Sequence, residues 1–158
     1  MRKLVAATGV LFALSGCAAE QACTLIGTPV GISVRVDAPL ADRVSAAELT
    51  ACWNGSCRTA EVELHPAGGV ARQTCEGEAC TAEIEPTGGK QGFGDVAGLP
   101  KAPVRVALRL KGQGGEAVVE RELTVTPVGS FPNGPNCGEG GPQAAIAVSG
   151  SGVVSEVG

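Results

Sequence analysis

The sequence predicts an all-β body, a disulfide-bonded antiparallel β-sandwich. Three observations carry that expectation. Short stretches in which apolar and polar residues alternate with a period of two recur along the chain, as they do in strands with one wet face. Two cysteine pairs, Cys52/Cys57 and Cys75/Cys80, bracket dipeptides suited to tight hairpin turns. Finally, 24 glycines and 10 prolines punctuate a chain in which only 18% of residues are charged, and no stretch shows a convincing helical period.

In chain order, the first element is an address. Arg2 and Lys3 precede the apolar run from Leu4 to Leu14, the layout of a secretory signal peptide. A spanning helix needs roughly 20 apolar residues, and this run ends well short of that, before Glu20. The run ends in Leu14-Ser15-Gly16-Cys17, which resembles the lipobox of bacterial lipoproteins. That resemblance covers only the first seventeen residues. It implies cleavage before Cys17, with a diacylglyceryl group on the Cys17 thiol and acylation of the new amino terminus. Residues 1–16 are then the leader, 17–22 a lipidated tether, and 23–158 a single β domain held at the extracytoplasmic face of the membrane. Each acyl chain adds about 0.8 kcal/mol per buried CH₂, and two or three chains make a lasting anchor.

Processing removes two of the 12 basic residues and none of the 16 acidic ones, leaving 10 against 16, a formal charge of −6. That balance argues against electrostatic binding of nucleic acid. Aromatic residues are few: Trp53, Phe93 and Phe131 remain beyond the leader and there is no tyrosine, so the core falls to Val, Leu, Ile and Ala. Sugar-binding surfaces commonly use flat rings, and that class is disfavoured too.

With Cys17 lipidated, Cys23, Cys52, Cys57, Cys75, Cys80 and Cys137 are left, an even set that outside the cytoplasm reads as three disulfides. Asn54-Gly55 is a strong type I′ turn signal, and as a two-residue turn it sets Cys52 opposite Cys57. The same register opposes Thr50 to Thr59 and Glu48 to Glu61, while Leu49, Ala51, Trp53, Ala60 and Val62 share the other face. Gly77 suits the first central position of a type II′ turn. That turn sets Cys75 opposite Cys80, Thr74 opposite Thr81 and Arg72 opposite Glu83. Elimination leaves Cys23 with Cys137. A four-thiolate zinc site is the competing reading of two C-x4-C pairs, but oxidation opposes it in a secreted chain and no nearby histidine strengthens it. No cofactor is implied.

Ile32, Val34 and Val36 alternate with polar neighbours and form the first expected strand. The segment Glu85 to Asp95, with four glycines, reads as a loop, and lacks the G-K-[ST] ending of a phosphate cradle. Val104 to Lys111 and Ala117 to Thr126 form a third hairpin, in which Arg105 and Arg109 are expected to face acidic residues. Ala145 to Val148 and Gly152 to Val154 supply two late strands. The likeness to immunoglobulin-like domains is one of general architecture, since the cysteine-tryptophan-cysteine arrangement of that family is lacking.

No nucleophile elbow, histidine metal motif or phosphate loop is present. His65, the only histidine, reads as an exposed turn residue before Pro66. The function expected is non-catalytic: a cell-envelope lipoprotein that binds or supports an extracytoplasmic protein or envelope component. An extracytoplasmic hydrolase with a scattered site and a proteinase inhibitor with a disulfide-pinned loop are the alternatives. As a whole the chain is similar to uncharacterised small actinobacterial lipoproteins, a likeness of type that names no activity. In the proline- and glycine-rich segment 129–143, Phe131, Asn133, Asn136 and Gln143 offer one apolar and several hydrogen-bonding contacts, and are the candidate partner-binding residues.

Overall fold

Each alternating stretch becomes a strand with its apolar members inward in the computed structural model, which describes residues 23–24 and 26–158. Residues 1–22, which hold the expected leader, the expected lipidation site Cys17 and the expected tether, lie outside the described residues. One sheet contains β1 (Gly31–Val36), β4 (His65–Glu76), β5 (Ala79–Asp95), β8 (Val128–Gly129), β9 (Pro142–Val148) and β10 (Val154–Val157). Its order is β10-β9-β1-β5-β4, and β8 pairs with β9. The second contains β2 (Ala46–Trp53), β3 (Ser56–Glu63), β6 (Val104–Lys111) and β7 (Ala117–Val125) in the order β3-β2-β6-β7. The result is a disulfide-bonded β-sandwich.

The core lies between the sheets. Ile32, Val34 and Val36 of β1 with Ile146 and Val148 of β9 meet Leu49 of β2, Val62 of β3 and Val106, Leu108 and Leu110 of β6. No polar or charged residue is buried among the described residues. Burying each large aliphatic side chain contributes about 1.5–3 kcal/mol, so this layer dominates the stability of a fold with few aromatics.

Both cysteine hairpins have the expected registers. Cys52 faces Cys57 and Thr50 faces Thr59, while Cys75 faces Cys80 and Arg72 faces Glu83. The bonds Cys52–Cys57, Cys75–Cys80 and Cys23–Cys137 are formed, with Cα separations of 4.1, 4.0 and 5.4 Å. Such bonds belong to an oxidising, extracytoplasmic setting. Among the described residues no helix is long and apolar enough to cross a membrane.

Several expectations need correction. The segment 85–95 is strand, not loop: β5 runs unbroken through it and pairs with β1 from Val36↔Lys90 to Gly31↔Asp95. The glycines there serve close approach. A Cβ on Gly92 would overlap the carbonyl oxygen of Glu63 and lie 2.7 Å from Val62 Cγ1, because β5 passes directly beneath β3. The sheets are not wholly antiparallel, since β1 and β9 pair in parallel. His65 lies in a strand, as only the buried Leu64 separates β3 in one sheet from β4 in the other. Arg109 does face Glu120, but Arg105 faces Thr124. The last strand is 154–157 rather than 152–154.

The like-charge pair Glu48/Glu61 is relieved from a third strand. Lys111 Nζ donates to Glu48 Oε2 at 2.7 Å and to Glu61 Oε1 at 3.1 Å. The hydrogen bond from Lys111 holds the Glu48 carboxyl below the usual carboxylate value, and the same contact, with a second from Glu61, holds the ammonium above the usual lysine value. A lowered carboxylate pKa stabilises above the unfolded value and is lost as pH falls through the folded one; a raised lysine pKa is lost only in alkali. Lys111→Met should therefore lower the thermal midpoint at neutral pH, and the gap from the parent should close on acidification. A gap independent of pH in a melting series would show that the trio does not act through charge.

Candidate functional site

Most of the residues expected to meet a partner are engaged within the fold. Asn133 clamps the N-terminal segment: its Oδ1 accepts from Thr24 Oγ1 at 2.5 Å and from the Ile26 amide at 3.1 Å, and its Nδ2 donates to the Ile26 carbonyl at 3.2 Å. Gln143 Nε2 donates to the Pro29 carbonyl at 2.8 Å, and Gln143 itself lies in β9 opposite Gly31. Asn136 also has an interaction partner, and it precedes the Cys137 that is bonded to Cys23. Phe131 stands apart with its ring half exposed. The structure thus uses this loop to hold the beginning of the domain against its end.

A second exposed feature is the β4/β5 hairpin beyond Gly69. Residues 70–88 are exposed on both strands, so neither face of the arm is covered. Val70 and Ile84, paired across the arm, are 61% and 62% exposed. The Cys75–Cys80 bond closes the tip, and Arg72 approaches Glu83 at 4.0 Å.

The outer faces of the two sheets differ in chemistry. On the β2-β3-β6-β7 sheet the wet face carries Glu48, Glu61, Arg105, Arg109, Glu120 and Glu122, a solvated ladder of both signs. On the other sheet two neighbouring rows of outward residues cross the strands. One row runs His65–Gln91–Arg35–Ala147 and the next runs Phe93–Ser33–Ala145–Val157. Together with Val34, Gly92 and Ile146, members of these rows line a concave groove of about 350 Å³. This is near the lower end of the volume range of small-ligand sites. Phe93, Ala145 and Ser33 are partly buried in it, and Arg35 is its only lining residue with a permanent charge.

The groove does not bring Ser33 and His65 together as a nucleophile and base. They lie on strands separated by β5, two strand spacings of about 4.8 Å apart, and in different rows. Ser33 Oγ instead donates to the Ala144 carbonyl at 3.4 Å, and His65 Nε2 lies 3.8 Å from Glu63 Oε1. Among the described residues no group of three or more His, Cys, Asp or Glu is arranged to hold a metal ion, and Cys23, Cys52, Cys57, Cys75, Cys80 and Cys137 are consumed by disulfides.

Sequence reasoning missed this groove. Phe93 sat in the segment read as loop, and Ser33 and Arg35 read as an ordinary wet strand face. One signal was available: an aromatic residue spaced among glycines, in a chain with so few rings. Neither a protein-family model, nor a curated protein, nor a solved structure matches the chain.

Proposed function

We propose that the protein is a non-catalytic lipoprotein of the cell envelope, anchored through lipid on Cys17, whose β-sandwich binds an extracytoplasmic ligand on the outer face of the β1/β5/β9 sheet. The observation that carries the binding role is the contrast between the two outer faces. One is a charged ladder of the kind that simply keeps a sheet in water. The other is a concave, largely uncharged groove with a half-buried ring and a few polar groups, the form that small-ligand sites take. The anchor rests on the basic head, the apolar run and Leu14-Ser15-Gly16-Cys17. Only five residues separate Cys17 from the stapled Cys23, so the domain stays within roughly 20 Å of its lipid.

Cell fractionation tests the anchor. The parent chain should partition with membranes and yield an acylated peptide beginning at Cys17 by mass analysis, whereas Cys17→Ala should lose both properties. Undiminished membrane association of Cys17→Ala, with no acylated peptide from the parent, rejects the anchor.

A further inference from the structure

We infer that the groove takes a small amphipathic monocarboxylate, its carboxylate held by Arg35 and Gln91 and its apolar tail reaching into the row that holds Phe93, Ala145 and Val157. This rests on the reading of that face as the binding face and adds the ligand class.

The register places the two halves of such a molecule. Arg35 and Gln91 are directly opposed on neighbouring antiparallel strands, so their Cβ atoms are about 5 Å apart and both side chains leave the same face. A guanidinium offers two parallel N–H groups that match a carboxylate, and the Gln91 amide adds a third donor beside them. Among the described residues the side chains of Arg35 and Gln91 have no hydrogen-bond or ion-pair partner, so these donors are uncommitted. No carboxylate lines the groove to repel the ligand's own; Glu63 lies at its rim against His65.

The second row begins two residues further along the strands, about 7 Å away, a distance suited to a tail of about six carbons. There Phe93 presents its ring, and Ala145 and Val157 lie side by side on β9 and β10. Val157 is 45% exposed and stands to gain by being covered. A cation would meet Arg35 as a like charge. A neutral alcohol could use the apolar row while leaving the guanidinium unused. Selectivity for the acid therefore resides in Arg35, and general affinity in Phe93.

Saturation-transfer NMR of hexanoate, hexanol and hexylamine, using the full lipidated chain in lipid nanodiscs with empty discs as the blank, tests the assignment. About eight non-hydrogen atoms support affinity in the millimolar range, which this method reads. Hexanoate should show protein-dependent saturation, strongest on its tail protons. Arg35→Gln should weaken it about tenfold without altering hexanol, and Arg35→Lys should fall between. Phe93→Leu, which keeps an apolar side chain and is checked for folding by circular dichroism, should weaken both. Hexanoate binding that ignores Arg35→Gln while hexanol binds equally well overturns the carboxylate assignment but leaves the face as a binding surface. No protein-dependent signal from any probe overturns both.

Discussion

Replacing both Cys23 and Cys137 with alanine should be the most damaging disulfide deletion, lowering stability by about 4 kcal/mol. The two residues are 114 positions apart, so their bond constrains nearly the whole domain in the unfolded chain. In the chain-entropy description a loop near a hundred residues is worth about 4.7 kcal/mol, and a loop of a few residues about half of that. Cys52 and Cys57 are only 5 apart and are already opposed by strand pairing, so their double replacement should cost clearly less. The long bond also lies beside the three hydrogen bonds that Asn133 makes with Thr24 and Ile26, which should fray without it. Denaturant midpoints of the two double variants decide the matter. Equal losses would mean that the segment at Cys23 detaches locally without touching the global equilibrium.

Gly92→Ala should cost about 2–3 kcal/mol, a large penalty for one added methyl group. The new Cβ would collide with the Glu63 carbonyl, Val62 Cγ1 at 2.7 Å and the Glu63 carbonyl carbon at 3.1 Å. Two of these three atoms are backbone at the point where β3 turns towards β4, so relief requires separating the strands rather than rotating a side chain. Overpacking of this kind typically costs about 1–3 kcal/mol. Gly27→Ala is the matched control, since nothing lies within 4 Å of its Cβ position. If calorimetry gives both variants the same midpoint, β5 does not cross beneath β3 in van der Waals contact at Gly92.

What was legible in the sequence was local. Cys52 faces Cys57 because Asn54-Gly55 can adopt positive φ at both turn positions, with φ of 48° and 76° here, a property of two adjacent residues. The inward sides of β1 and β6 were equally plain, because a two-residue period sends alternate side chains to opposite faces. The second half of β5 was not legible: its glycines weaken strand propensity, and the purpose of Gly89, Gly92 and Gly94 appears only against Val36, Glu63 and Leu49 from elsewhere in the chain. For the same reason Asn133 and Gln143 looked available to a partner, although the atoms they bind, at Thr24, Ile26 and Pro29, lie more than a hundred positions away.

The sequence by itself determined the all-β class and the registers of the two cysteine hairpins, because turn chemistry and side-chain alternation act over short spans; the bond between Cys23 and Cys137 was reached only by elimination and is shown by the structure. Tertiary structure alone decided the parallel pairing of β1 with β9, the passage of β3 into β4 across the corner at Leu64, and the groove. Arg35, Gln91, Phe93, Ala145 and Val157 come from four strands, and they become neighbours only through hydrogen-bonded registers between segments distant in the chain. Those registers follow from burying Ile32, Val34 and Ile146 against the opposite sheet, so the placement of the outward residues is set by the packing of the inward ones.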